Sequence, residues 1–267
     1  MNDNIGFVGY GNMGQALGAA CIQSGRASTI YVVENNQDHA NDLTTTYAYI
    51  KVVSLADLIQ TCDTIFLAFK PQQLADFSKG LPQGFTKEHV IVSMLAGVSI
   101  QTCIDGLGHA NIVRIMPNTP AVLQKGVTAV FFADAVLESQ RQWCLNVFES
   151  FGQVILLNSE QEIDVMTALS GSGPAFFYRM VQAMVQFGED QGLTQDQALQ
   201  AATHTMLGAG EMLTQQPHPQ QLIDQVTSPN GTTHAGLMCM NDLDFNGTIG
   251  KVLDSAYQRA ISLSKES

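Results

Sequence analysis

Two patterns of apolar residues divide this chain. In the first, short apolar runs alternate with longer segments in which apolar positions recur every three or four residues. The runs are typical of buried strands and the longer segments of amphipathic helices. Their alternation favours an α/β fold, in which helices cover both faces of a doubly wound, mostly parallel sheet. The predicted strands are Ile5–Val8, Ile30–Val33, a short one within Tyr49–Val53, Thr64–Phe69, Val90–Met94, Asn111–Ile115, Val127–Ala133 and Val154–Leu157.

The pattern changes near Ser159, beyond which only helical periodicity is found. Thr194 and Gln197 have the spacing of a capping box. We expect two domains, residues 1–159 and residues 160–267. The second is all-helical and rich in Met and Ala, which favours a role in dimerisation; a self-contained helical bundle is the alternative. Its predicted helices are Gln161–Leu169, Pro174–Gln191, Thr194–Gln215, Pro219–Val226, Thr232–Asp242 and Thr248–Lys265.

The first predicted strand runs into a glycine-rich turn that opens a helix. The first glycine permits a tight turn, the second lets backbone approach a pyrophosphate, and the third lets the helix pack against the strand. N–H groups at the start of the helix favour an anion. The turn predicts a Rossmann-like dinucleotide site, with a ligand-free turn as the alternative. Its residues are Gly9, Tyr10, Gly11, Asn12, Met13 and Gly14.

An acidic residue ends the second predicted strand. Glu34 follows Gly14 by twenty residues, where a carboxylate accepts the ribose hydroxyls of a dinucleotide. The same charge would repel the 2′-phosphate of NADPH. The amides of Asn35 and Asn36 could donate to that phosphate if Glu34 turned outward. We therefore expect NADH to be used at least comparably well to NADPH.

The composition argues against several classes of function. The 267 residues have a formal net charge of −12 and only 12 Lys plus Arg, whereas nucleic-acid binding needs clustered basic residues. No apolar span is long enough for a membrane helix, and the N-terminus leaves no room for a signal peptide. The five scattered cysteines fit reduced thiols in the cytoplasm. With the six histidines they form no metal-ligand cluster, so no metal is expected.

Ligands of an open parallel sheet lie at the carboxyl ends of its strands. Three loops at that edge are candidates for a nicotinamide track. Pro71 stiffens the loop after the fourth strand, Gly97 permits close approach of a flat ring after the fifth, and Asn118 offers an amide after the sixth. Each loop alone could be an ordinary turn. The candidate cofactor residues in these loops are Ala68, Phe69, Lys70, Pro71, Ala96, Gly97 and Asn118.

Two further motifs lie in the helical half. Residues 170–175 read Ser-Gly-Ser-Gly-Pro-Ala, and residues 227–233 read Thr-Ser-Pro-Asn-Gly-Thr-Thr. The second motif ends at a predicted helix start, so it presents free N–H groups and a positive dipole end beside hydroxyl groups. That arrangement could hold a small carboxylate without arginine. A well-capped helix junction that binds nothing is the alternative.

In this order, the motifs resemble those of the pyrroline-5-carboxylate reductase family over almost the whole chain. One departure is visible. The family usually has Pro-Gly-Gly where this chain has Pro229-Asn230-Gly231. Asn tolerates left-handed backbone geometry better than other non-glycine residues, so the turn should survive. The motifs that carry the resemblance are Gly9–Gly14, Phe69–Pro71, Ala96–Val98, Met116–Ala121, Ser170–Ala175 and Thr227–Thr233.

The resemblance implies an NAD(P)H-binding first domain and a helical domain that builds a dimer, alone or within a ring of dimers. It implies a cyclic imino acid as substrate, bound near the dimer interface. Ser228, Thr232 and Thr233 match the family positions that hold the substrate carboxylate and ring nitrogen. The implied reaction is hydride transfer to the C=N carbon, which gives L-proline and ends proline biosynthesis.

Two alternatives stay open. A 3-hydroxyacid dehydrogenase-like enzyme would need a catalytic lysine on the helix Pro174–Gln191, which has Arg179 and no lysine. A non-catalytic NAD(P)-sensing dimer would need the glycine turn but not the loop Thr227–Thr233. His204, His218 and His234 are weak catalytic candidates, because lone helical histidines are more often surface or packed residues, although any of them could tune the pH dependence.

Overall fold

The computed structural model describes residues 4–82 and 84–266, with side chains up to 264. Its strands are β1 (Ile5–Val8), β2 (Ile30–Val33), β3 (Ile50–Val52), β4 (Thr64–Leu67), β5 (Val90–Ser93), β6 (Ile112–Met116), β7 (Gly126–Phe132) and β8 (Gly152–Leu156). Its helices are α1 (Asn12–Gln23), α2 (Gln37–Thr46), α3 (Leu55–Thr61), α4 (Leu74–Lys79), α5 (Ile100–Leu107), α6 (Glu138–Phe148), α7 (Glu162–Met166), α8 (Gly173–Asp190), α9 (Gln195–Gln215), α10 (Pro219–Gln225), α11 (Thr232–Asp242) and α12 (Phe245–Glu266).

The strands form one sheet in the order β3-β2-β1-β4-β5-β6-β7-β8. All strand pairs are parallel except β6–β7, which is antiparallel. Every residue of β1, β4, β5 and β6 is buried, which explains why these strands are mostly apolar rather than alternating, with the charged Arg114 on β6 as an exception. The order reverses at β1, which lies between β2 and β4. Ligands of such sheets bind at the carboxyl ends of the strands at that reversal.

The predicted strands are confirmed, with small shifts at their ends. Local capping sets several helix starts, since the side chains of Asn36, Ser54, Ser99 and Thr194 accept N–H groups of α2, α3, α5 and α9. The predicted capping box of Thr194 and Gln197 is confirmed. The predicted helix Gln161–Leu169 is instead α7 followed by a π-helical turn, Thr167–Gly171. There the Ser172 N–H donates to the Thr167 carbonyl, an i to i−5 bond that apolar spacing does not predict.

The chain divides into two compact units. The first comprises the described residues up to Ser172 together with the chain from Ala256 onwards, and the second is Gly173–Ser255. The boundary expected after Ser159 rests on the change from strands to helices rather than on contacts between residues, and it stays a prediction. Within the second unit, α8 and α9 pack closely where a Cβ on Gly188 would lie 2.7 Å from that of Ala198.

A buried ion-pair cluster ties residues beyond Ser159 to the sheet of the first unit. Arg114 on β6 is 4% exposed, and its Nη1 donates to Glu160 Oε1 at 2.8 Å. Asp164 Oδ1 lies 3.7 Å from the other terminal nitrogen. Glu160 also accepts the N–H of Ile100 at 2.7 Å. A fragment ending at Ser159 would lack both carboxylates, so it should fold less well than the complete unit.

We expect Glu160→Ala to lower the free energy of unfolding by about 3–5 kcal/mol, because it leaves a buried guanidinium with one distant partner. Urea denaturation of the full chain measures this. Glu162→Ala is the matched control: that carboxylate accepts the Asn158 N–H in an exposed setting, so its loss should cost less than about 1 kcal/mol. Equal stability losses in the two variants would contradict a special role for the buried pair.

Candidate functional site

The glycine turn that follows β1 has very little space around it. Gly9 has a φ of +77°, a conformation that only glycine adopts without strain. A Cβ at this position would also lie 3.0 Å from the Ala68 carbonyl oxygen. The Gly9 N–H donates to the Val33 carbonyl at 2.9 Å. The turn is therefore held against the ends of β2 and β4, and glycine is required there.

The start of α1 offers free hydrogen-bond donors beside open space. Gly11 is the N-cap residue and supplies no side-chain cap, so the first N–H groups of the helix have no intrahelical acceptor. A Cβ on Gly11 would meet nothing within 4 Å, and the residue lines a cavity. Free N–H groups, a positive helix end and room for close approach suit the pyrophosphate of a dinucleotide.

The ring of Tyr10 packs against two glycines of α1, a contact that the glycine motif alone does not reveal. The Tyr10 side chain is 1% exposed, and its ring packs edge-on against Phe7 with 5.2 Å between centroids. A Cβ on Gly14 would lie 3.3 Å from this ring, and one on Gly18 would overlap its hydroxyl. Burial raises the pKa of the Tyr10 phenol, so the side chain stays neutral. The two glycines therefore make room for Tyr10.

A cavity of about 940 Å³ lies at the carboxyl ends of β1, β2 and β4. Its volume falls within the range of small-molecule sites, about 300–1,000 Å³. The predicted cofactor residues that line it are Gly9, Tyr10, Gly11, Asn12, Met13, Glu34, Asn35, Ala68, Phe69 and Lys70. Of the residues predicted for the cofactor, Gly14, Pro71, Ala96, Gly97 and Asn118 lie outside this lining.

Sequence reasoning missed part of the cavity wall. Val53, Ser54 and Leu55 follow β3, and Gln73 and Phe77 come from the segment that includes α4. The Ser54 hydroxyl caps α3 by accepting the Asp57 N–H at 3.2 Å and donates to the Asp57 carboxylate at 2.7 Å. Val53, Ser54 and Leu55 could have been predicted from the sequence, because they follow the third strand at the same carboxyl edge of the sheet.

Glu34 lies in the cavity wall, where the spacing from Gly14 predicts an acid. Its side chain is 15% exposed. One carboxylate oxygen accepts the Asn36 N–H at 2.9 Å, and the other lies 3.1 Å from His39 Nδ1. Glu34 is thus oriented before any ligand binds, and its role toward the ribose stays a prediction.

Pro71 and Ala96 line a separate cavity of about 700 Å³, together with Ser78, Thr102 and Leu263. Gly97 has a φ of +77°, and a Cβ there would lie 2.6 Å from the Leu263 carbonyl carbon. The structure thus gives Gly97 a reason other than a nicotinamide ring: it admits the backbone of α12. Binding of the cofactor by Pro71, Ala96 and Gly97 stays a prediction.

The side chain of Asn118 forms hydrogen bonds within the protein. Its carbonyl accepts the Val127 N–H at 2.8 Å, and its amide donates to the Ser170 carbonyl at 3.0 Å. The residue is 7% exposed. Its amide therefore links the end of β6 to β7 and to the π-helical turn, which leaves one N–H for any further partner.

The loop Thr227–Thr233 of the second unit has the predicted geometry. Asn230 adopts a φ of +59°, which confirms that Asn fills the left-handed position there. Gly231 is the N-cap of α11 and supplies no side-chain cap. Ser228, Thr232 and Thr233 are exposed, and within the described part of the chain their hydroxyls make no hydrogen bond. Three hydroxyls and the free N–H groups of α11 are thus available to a ligand.

Comparison with known proteins decides the family. A family model described as pyrroline-5-carboxylate reductase dimerisation matches residues 160–263. The pyrroline-5-carboxylate reductase of Pseudomonas aeruginosa is 32% identical over 98% of this chain and 97% of its own. The Escherichia coli enzyme of that name is 30% identical over 99% of this chain and 100% of its own. The chain belongs to the pyrroline-5-carboxylate reductase family.

Solved structures agree with this family and with its fold. The 1-pyrroline-5-carboxylate reductase of Streptococcus pyogenes is 30% identical, with a TM-score of 0.87 over 97% of this chain and 98% of that one. A Plasmodium falciparum pyrroline carboxylate reductase solved with NADP bound has the same TM-score over 98% of both chains at 24% identity, which shows the shared fold. A second family model, NADP oxidoreductase coenzyme F420-dependent, matches residues 4–97.

The described residues contain neither a candidate membrane helix nor a cluster of metal-ligating side chains. Over residues 4–82 and 84–266, none of the helices combines the length and apolarity of a membrane span. In that same part of the chain, no three His, Cys, Asp or Glu side chains come together as metal ligands. The five cysteines are free thiols, of which all but Cys239 are buried.

Proposed function

We propose that this chain reduces 1-pyrroline-5-carboxylate to L-proline with NAD(P)H, the last step of proline biosynthesis. The observation that carries this function is the match to reductases of that name over nearly the whole of both chains. The uncapped start of α1 beside a cavity of suitable volume supports a dinucleotide cofactor. The free hydroxyls of the loop Thr227–Thr233 support a small carboxylate substrate.

Each part of the cofactor has proposed partners on this chain. The N–H groups of Asn12 and Met13 hold the pyrophosphate, because they are free and lie at the positive end of α1. Glu34 and Asn35 contact the adenosine ribose, and Ala68, Phe69 and Lys70 continue the cavity wall. When bound, the dihydronicotinamide supplies the hydride.

The substrate is proposed to bind at the start of α11. Ser228 and Thr232 donate to the carboxylate together with free N–H groups of the helix, so arginine is not needed. Thr233 donates to or accepts from the ring nitrogen and can relay its proton. A protonated imine is a good hydride acceptor, so positioning and electrostatics supply most of the rate. In the described part of the second unit the sole lysine is Lys251, which agrees with a low demand for a general acid.

A direct assay tests the activity. NAD(P)H oxidation is followed by absorbance with pyrroline-5-carboxylate, with a 3-keto acid and with no added substrate. We expect oxidation only with the cyclic imine. Oxidation with the 3-keto acid instead would favour the dehydrogenase alternative, and binding of NAD(P)H without any turnover would favour a sensing protein.

We expect Glu34→Ser to shift the ratio of kcat/KM values toward NADPH by roughly tenfold, equivalent to about 1.4 kcal/mol. The reason is that a carboxylate about 4 Å from the 2′-phosphate costs on the order of 1–4 kcal/mol. Initial rates with each cofactor at saturating imine measure the ratio. An unchanged ratio would remove Glu34 from the ribose site.

The assembled protein is proposed to be a homodimer or a ring of dimers. The second unit leaves many large apolar side chains exposed, among them Phe177, Tyr178, Phe187, Leu207 and Met212. Exposed apolar patches of that kind mark interaction sites, and the dimerisation model covers this part of the chain. We further expect a cytoplasmic enzyme that binds neither nucleic acid nor membranes. The acidic composition disfavours nucleic acid, the scattered cysteines fit a reducing compartment, and the sequence has no apolar span of membrane length.

A further inference from the structure

His39 on α2 is bonded to the acid of the cavity wall. Its Nδ1 lies 3.1 Å from Glu34 Oε2, and the two side chains are 30% and 15% exposed. The backbone of His39 is also fixed, since its N–H donates to the Asn36 side chain that caps α2. The imidazole therefore reaches Glu34 from a rigid position at the start of a helix.

The other carboxylate oxygen of Glu34 is held as well. Glu34 Oε1 accepts the Asn36 N–H at 2.9 Å. Each oxygen thus has one bond within the protein and retains a lone pair. A carboxylate held in this way can accept two neighbouring hydroxyls from the cavity without first reorganising.

Gln15 sets the tautomer of His39. The Gln15 amide nitrogen donates to the Tyr10 carbonyl at 3.2 Å and lies 3.3 Å from His39 Nε2. Because an amide N–H is a donor, Nε2 is the acceptor and the ring proton lies on Nδ1, where it can be donated to Glu34. A continuous set of bonds thus joins the glycine turn to the acid through Gln15 and His39.

We propose that His39 is a positioning residue for cofactor choice, which holds the Glu34 carboxylate against the cavity and thereby favours NADH over NADPH. The inference rests on the proposed function, in which this cavity binds the ribose of NAD(P)H. Without the imidazole, Glu34 keeps only its backbone bond at Oε1. It can then turn outward and leave the amides of Asn35 and Asn36 facing a 2′-phosphate.

Equilibrium binding of NADH and NADPH to the full chain, without substrate, tests this role. His39→Ala should lower the ratio of the NADPH to the NADH dissociation constant by about fivefold, since it removes a hydrogen bond to a charged group. His39→Asn keeps an N–H donor close to the position of Nδ1, so it should retain the wild-type ratio. Asp42→Asn, on the exposed side of the same helix, is the control for a simple change of charge and should leave the ratio unchanged.

Two binding results would contradict the role proposed for His39, and they can be distinguished from each other. If His39→Ala weakens NADPH more than NADH, the ring acts as a partner of the phosphate and the proposal is wrong. If both affinities change equally, His39 has only a structural role and the proposal is again wrong. In the Glu34→Ser background, adding His39→Ala should not change the ratio further, and a further change would show that His39 acts independently of Glu34.

If the proposed function is wrong, the cofactor affinities of the Glu34→Ser and Gly11→Val variants will show it. If Glu34→Ser leaves the ratio unchanged and Gly11→Val leaves both affinities unchanged, the cavity does not bind the cofactor, and the assignment of the site fails first. If those two variants behave as expected and His39→Ala retains the wild-type ratio, only the role of His39 is refuted.

Discussion

The variant Gly11→Val should fold normally and lose at least about a hundredfold in affinity for NAD(P)H, equivalent to roughly 2.7 kcal/mol. Gly11 has a φ of −72°, which valine adopts without strain. A Cβ there meets no protein atom within 4 Å, so the fold has room for the larger side chain. That same room is where the pyrophosphate must approach the start of α1. Calorimetric titration with NADH and NADPH measures the loss.

Gly84→Val is the matched control for this variant. A Cβ on Gly84 also meets nothing within 4 Å, and the residue lies outside the cavity lining. We expect it to bind both cofactors with wild-type affinity. Unchanged affinity in Gly11→Val, with a normal melting temperature, would show that the cofactor does not bind at the glycine turn.

Thr233→Ala should lower kcat by about 30- to 1000-fold, because losing a bond made in the transition state costs roughly 2–4 kcal/mol. Thr233 lies in the first turn of α11, is exposed, and makes no hydrogen bond through its hydroxyl within the described residues. Its loss should therefore leave the fold and the affinity for NAD(P)H intact. Steady-state kinetics with the cyclic imine, beside cofactor titration, separate the two effects.

Thr233→Ser retains the hydroxyl and should recover most of the activity. Loss of turnover in both variants would indicate that the methyl group or local packing matters rather than the hydrogen bond. Wild-type turnover in Thr233→Ala would exclude its hydroxyl from the mechanism.

The architecture of the first unit could be predicted from the sequence, because a strand that is buried on both faces of the sheet needs apolar residues at nearly every position. β1, β4 and β5 are apolar at nearly every position, and each is followed by a helix. The turn at Asn230 could be predicted for a local reason, since few residues other than Gly and Asn tolerate its left-handed conformation. The π-helical turn at Thr167 could not, because its hydrogen bonds do not alter the spacing of apolar residues enough to be recognised.

Glycines were harder to interpret than strands. Gly9 makes the tight turn that the motif predicts, whereas the role of Gly11 toward a pyrophosphate stays a prediction. The structure places Gly14 beside the ring of Tyr10 and Gly97 beside the backbone at Leu263. Gly97 is needed because of a neighbour distant in sequence, and Gly14 because of a side chain outside its own helix. Sequence shows that space is needed and does not show what fills it.

The same limit applies to polar side chains of the site. Glu34 follows from a fixed spacing, whereas Ser54 enters the cavity wall through the arrangement of neighbouring strands. The bond from Gln15 to His39 spans 24 residues, so it depends on a contact between α1 and α2 that sequence spacing does not show. Asn118 is the opposite case: an amide that sequence reasoning offers to a ligand is used to join β7 and the π-helical turn.

Transfer of a labelled hydride tests the central claim most directly. The protein is incubated with pyrroline-5-carboxylate and with NADH or NADPH that carries two deuterium atoms at C4 of the nicotinamide. The account predicts L-proline with a single deuterium on C5, the former imine carbon, formed in step with oxidation of the cofactor. Unlabelled proline, or no oxidation that depends on the imine, would contradict it.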